Sequence, residues 1–131
     1  MKQRKRILVV DDDKDILKSF KAILQEEGYD VDTAETSREA IEKTERQAYD
    51  LALLDIKLPD VDGTELLELL SERFPKMVKI MITGYPSLQN AAESLKHGAA
   101  AYVMKPVQPE SLLKVVEEKL REKEEDGGGN K

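Results

Sequence analysis

Apolar residues fall along this chain in two alternating rhythms. Continuous short runs at 7–10, 51–54 and 101–104, one at 78–82 broken only by Lys79, and a weaker one at 31–34 have the length and composition of strands buried on both faces of a parallel sheet. Between the runs apolar residues recur at helical spacing. The first such set is Ile16, Leu17, Phe20, Ile23 and Leu24, and the set after the third run is Leu66, Leu67, Leu70 and Phe74. Leu88, Ala91, Ala92 and Leu95 follow the fourth run and are expected to form the inner face of a helix, and Leu112, Leu113, Val116 and Leu120 line a last one. The punctuation agrees. Gly28 and Gly98 stand where left-handed caps would close helices, Thr36 and Glu39 have the spacing of a capping box opening a helix to about residue 47, and Pro109 suits a first turn.

Five strands alternating with five helices through short connections specify an α/β fold, a parallel sheet with helices on both faces. Right-handed crossovers leave few topologies, and the doubly wound order 2-1-3-4-5 is expected by analogy with the flavodoxin-like group.

A length of 131 residues is that of one domain, expected to span 1–122, with a flexible charged and glycine-rich tail at 123–131. No apolar stretch is long enough for a bilayer, and the basic start is followed by too short a core for a signal peptide, so a cytoplasmic protein is expected. The absence of cysteine excludes disulfide, thiolate-metal and thiol chemistry. A net charge of −6 weighs against direct nucleic-acid binding, and the run of Lys2, Arg4, Lys5 and Arg6 reads as a solvated terminus.

In doubly wound sheets the site lies beyond the carboxyl ends of the strands, where strand order reverses. Four of the five predicted strands end in residues fit for chemistry: Asp11 and Asp12, Asp55, Thr83, and Lys105. The expected order puts the first and third strands side by side, so three carboxylates share one crevice. Raised pKa values or a bound cation must relieve their repulsion, and an all-oxygen donor set favours a hard ion such as Mg²⁺. Such an ion is commonly shared with a phosphoryl oxygen, and an aspartate can be the nucleophile that takes up the phosphoryl group. Lys105 and Thr83 would supply positive charge and a hydrogen bond to its oxygens.

The stretches ILVVDDD at 7–13, LLDIKLPDVDG at 53–63, MITG at 81–84 and AYVMKP at 101–106 together resemble the receiver domain of two-component response regulators, the CheY-like group. The resemblance implies that Asp55 is the phosphoacceptor and itself a ligand of Mg²⁺, that Asp12 binds the ion directly and Asp11 largely through water, and that the backbone carbonyl of Lys57 is a further ligand. It implies that Thr83 and Lys105 contact the phosphoryl group, that Tyr102 turns inward when Thr83 moves, and that the Lys105–Pro106 peptide bond is cis. It further implies a sensor histidine kinase or phosphotransfer protein as donor, and a downstream target or output domain met by the face of the fourth helix, fifth strand and fifth helix. A phosphorylation-dependent dimer fits the same picture. The chain would be no turnover enzyme beyond slow self-phosphorylation and self-dephosphorylation.

Plainer readings stand beside these. Asp13 reads as a helix cap, residues 59–63 as a structural turn, and His97 as a residue meeting the helix dipole. A phosphohydrolase using an aspartyl phosphate would place a second acid two residues after its nucleophile, where this chain has Lys57. A flavodoxin-like nucleotide binder would need a glycine-rich loop after the first strand, and none is there. A degenerate receiver would lack site residues that are all present.

Overall fold

In the computed structural model, residues 4–129 are described, with side chains as far as Glu125. The elements alternate without exception: β1 Arg6–Val10, α1 Lys14–Glu26, β2 Asp30–Ala34, α2 Ser37–Arg46, β3 Leu51–Asp55, α3 Gly63–Arg73, β4 Val78–Thr83, α4 Leu88–Lys96, β5 Ala101–Met104 and α5 Pro109–Gly129. The strands form one sheet in the order β2-β1-β3-β4-β5, every pair parallel. This is the expected α/β architecture.

Alternate residues of each strand feed the two cores. Ile7, Val9, Leu51, Leu53, Ile80 and Ile82 pack against Leu17, Phe20 and Leu24 of α1 and Leu112, Val116 and Leu120 of α5. Leu8, Val10, Ala52, Leu54 and Met81 pack against Ala40 of α2 and Leu66, Leu67 and Leu70 of α3. Central β3 is buried along its whole length, which explains its unbroken apolar sequence up to Asp55.

Local chemistry sets the ends of the helices. Asp13 caps α1 by accepting from the amides of Asp15 and Ile16. Thr36 caps α2 as expected, but the Glu39 side chain accepts from the amide of Glu35 rather than from the cap residue. Gly28 and Gly98 have φ of 99° and 96°, the left-handed region that glycine enters at little cost. Helix α5 runs to Gly129, into the segment expected as a tail. Glutamate and lysine are good helix formers, and Glu124 pairs with Lys5 at 2.9 Å across from the start of β1.

One helix turns the other way from its sequence pattern. Leu88 and Leu95, expected on the inner face of α4, are 89% and 61% exposed, and the buried residue is Ser94. Polar anchoring fixes this rotation. Ser87 and Asn90 form a capping box, Ser94 Oγ donates to the Asn90 carbonyl, and the Tyr102 hydroxyl on β5 donates to Asn90 Oδ1. Those bonds hold the polar stripe against the domain, leaving the leucines outward.

Lys79 is a buried lysine in the middle of an apolar strand, 3% exposed, its ammonium donating to the Phe74 carbonyl at 3.2 Å. Burial, with the charge of Lys123 in addition, lowers its pKa. A lysine whose pKa is depressed on folding binds its proton more weakly when folded, so its contribution to stability is lost as pH falls through the folded pKa. Lys79→Met is therefore expected to be more stable than wild type at pH 7, with the gap closing as pH rises toward the ordinary lysine value of 10.5. Thermal unfolding of both proteins at pH 7 and above pH 10 measures this, and a gap that stays constant would contradict it.

Candidate functional site

The carboxyl ends of β1, β3, β4 and β5 converge at the point where strand order reverses. Asp11 follows β1, its amide donating to the Ala34 carbonyl at the end of β2. Asp55 ends β3, and β3 lies between β1 and β4 in the sheet. The carboxylates of Asp11, Asp12 and Asp55 offer oxygens that all lie within 4.8 Å of one another. Asp11 and Asp55 are buried, whereas Asp12 is open to solvent.

Lys105 holds the buried pair together. Its ammonium lies 2.7 Å from Asp11 Oδ2 and 3.3 Å from Asp55 Oδ2. The Lys105 amide donates to the Thr83 carbonyl at 2.8 Å, and the Lys105–Pro106 bond is cis, as expected. Burial acts to lower the pKa of Lys105, but the hydrogen bond and charge of Asp11, with Asp55 beside it, raise it above the usual lysine value. Burial, followed by the charge of Asp11, pushes the Asp55 carboxyl up despite the opposing pull of Lys105. One cation thus leaves the acid cluster short of compensation, and three carboxylates with solvent on the Asp12 side suit a hard divalent cation.

The remaining expected residues lie around this core. Thr83 is fully buried, its hydroxyl accepting from the Tyr85 amide at 2.9 Å. Tyr102 is half-buried, and its hydroxyl meets the first turn of α4, accepting from the Ser87 amide at 3.3 Å as well as donating to Asn90. In this arrangement Tyr102 is attached to α4. Lys57 keeps its ammonium over the Tyr85 ring, 4.9 Å from the centroid, while its amide reaches Asp55 Oδ1 at 3.5 Å. His97 ends α4 as its C-cap, beside Glu93.

Residues 59–63 read from the sequence as a structural turn, and the structure shows two specific duties there. Asp60 reaches across to α2, its carboxylate accepting from the amides of Ser37 and Arg38 at 3.0 Å each. This ties the loop after Asp55 to a neighbouring helix. Gly63 packs so close beneath Asp55 that an added Cβ would stand 1.9 Å from the Asp55 carbonyl oxygen, and its amide donates to the Ile56 carbonyl at 2.6 Å. The Gly was visible in the sequence, but only the return of the chain onto β3 makes it obligatory.

The fold and site define a doubly wound domain with an acidic, lysine-bridged centre at its switch point, the arrangement of a phosphorelay receiver. The chain belongs to the response regulator receiver domain family, whose model matches residues 7–117. It is 36% identical over 107 residues to the alginate biosynthesis transcriptional regulatory protein AlgB of Pseudomonas putida, covering 82% of this chain and 24% of that protein. It is 35% identical over 114 residues to the transcriptional regulatory protein ZraR of Escherichia coli, covering 87% and 26%. The chain thus spans about a quarter of the length of these curated relatives. Among solved structures, a CheY-like receiver domain protein from Methanospirillum hungatei superimposes with a TM-score of 0.93 at 54% identity, covering 95% of this chain and 99% of that one. The beryllofluoride-activated NtrC4 receiver domain dimer gives 0.86 at 39% identity, covering 90% and 98%. The chain is a receiver in phosphorelay signalling, a class that works with histidine kinases and output domains. No described helix is long and apolar enough to cross a membrane.

The close approach at Gly63 generates a graded expectation. Gly63→Ala must displace backbone beneath Asp55 and should cost about 3 kcal/mol or more. Gly28→Ala meets nothing within 4 Å and should cost only the left-handed conformation, about 1 kcal/mol. Urea unfolding of the two variants checks the ranking, and equal losses would contradict it.

Proposed function

We propose that Asp55 is the phosphoacceptor of this receiver, with Asp12 and Asp55 as carboxylate ligands of Mg²⁺, Asp11 reaching it largely through water, and the Lys57 carbonyl completing the metal's protein contacts. The observation that carries this reading is the buried Asp55 carboxylate at the end of the central strand, 3.3 Å from the Lys105 ammonium and within reach of both other acids. Mg²⁺ when bound would offset the charge of the acids and of the incoming phosphoryl group. An oxygen of Asp55 attacks phosphorus, forming an O–P bond as the N–P bond of a phosphohistidine donor breaks. Lys105 is positioned to pass from carboxylates to phosphoryl oxygens, and Thr83 to exchange its bond with the Tyr85 amide for a phosphoryl oxygen.

The consequences of that exchange are read on α4 and β5. Thr83 and Tyr102 lie on neighbouring strands, and the Tyr102 hydroxyl is bonded to the α4 cap. Displacing Thr83 disturbs the Tyr85–Ser87 turn and with it the hold on Tyr102, which is a two-state shift biased by the phosphoryl group. Tyr85, Leu88, Leu95 and Met104 form the exposed large apolar residues of this region, a surface suited to an output domain or a second receiver. The dimeric form of the NtrC4 receiver supports the latter for this chain, and the receiver family supports a cytoplasmic location.

Acetyl phosphate with Mg²⁺ should label the wild type with a hydroxylamine- and alkali-labile acyl phosphate, and Asp55→Asn should abolish the label. Peptide mapping by mass spectrometry checks the site. Undiminished labelling of Asp55→Asn would overturn the assignment.

A further inference from the structure

At the end of the sheet remote from the carboxylates, the start of β4, the turn before it and the late turns of α5 enclose a cleft of about 480 Å³, within the size range of small-ligand sites. Lys76, Lys79, Lys119 and Lys123 line it against the single carboxylate of Glu122. This local excess of positive charge stands in a chain whose net charge is −6, so it is no sample of a generally basic surface.

Of the four, Lys119 alone has a carboxylate partner among the described residues, Glu122 at 3.2 Å. Lys79 is buried in the floor, and its ammonium has three N–H groups to satisfy. One goes to the Phe74 carbonyl at 3.2 Å, which already accepts the Met77 amide at 3.1 Å. Phe74 is the C-cap of α3, so a simple role for Lys79 is to meet the negative end of that helix. That role uses one N–H. It leaves unexplained why Lys76 and Lys123, both free of ion pairs among the described residues, converge on the same cleft, where the charge of Lys123 works against that of Lys79.

We propose that this cleft binds a compact multivalent anion of the phosphate class, with Lys79 as buried anchor and Lys76 and Lys123 as outer contacts. Ammonium groups on flexible stems adapt to the several acceptors of such an anion, and the concave, partly desolvated floor strengthens each charge-assisted bond. The site is separate from Asp55 and stands whether or not Asp55 is the phosphoacceptor.

Inorganic pyrophosphate without Mg²⁺ is the probe, titrated into the full chain and followed by amide NMR. Saturable shifts are expected at 76–79, 98–100 and 119–123. Lys79→Met and Lys123→Met should each weaken binding about tenfold, the loss expected for one charge-assisted contact. Lys79→Met keeps the buried volume, and Lys123→Met changes a position on the rim, so both variants should stay folded, which their spectra report. Shifts gathered around Lys105 instead, absence of saturation, or wild-type affinity in both variants would overturn the proposal.

Discussion

The Lys105 ammonium, wedged between Asp11 and Asp55 at 2.7 and 3.3 Å, is the contact on which the rest of this site depends. Two buried carboxylates side by side repel each other, and without a cation between them one would have to stay protonated. The ammonium removes much of that cost but not all of it, since Asp55 retains a raised pKa. The resting domain is thus stable enough to fold and still short of positive charge, a shortage that a bound divalent cation would relieve.

The fold serves this contact from several directions. Sheet order places β1 beside β3 and β5 at one remove beyond β4, so Lys105 must reach past Thr83. The hydrogen bond from its own amide to the Thr83 carbonyl holds the start of that reach against β4. The end of β4 carries Thr83 and the neighbouring strand carries Tyr102, whose hydroxyl is bonded to the α4 cap at Ser87 and Asn90, the connection on which the proposed switch relies. On the other side, Gly63 and Asp60 lock the loop after Asp55 to β3 and α2.

What was legible in the sequence follows from this. The strands were readable because a doubly wound sheet buries both faces of its strands, their order came by analogy with the flavodoxin-like group, and the strand-end acids, Thr83 and Lys105 were readable because chemistry in such folds collects there. The orientation of α4 was not, because Leu88 and Leu95 repeat at helical spacing while side-chain hydrogen bonds from Asn90 and Ser94 decide which stripe faces in. Periodicity counts apolar residues and is blind to such polar anchoring. Gly63 and Asp60 were visible only as turn residues, since their partners, the Asp55 carbonyl and the α2 amides, are brought to them by tertiary structure. Lys79 gave no signal in an apolar run, because its carbonyl partner lies across a turn.

In the proposed function Lys105 compensates the acid cluster at rest and is handed to the phosphoryl group on activation. The most direct measurement follows the Lys105 side-chain ammonium and the Asp11 and Asp55 carboxyl carbons by NMR as Mg²⁺ and beryllofluoride are added. Concerted shifts of Lys105 and Asp55, together with loss of the Asp11 contact, are the predicted result. A Lys105 signal that remains at its resting position while the analogue occupies Asp55 would contradict the account.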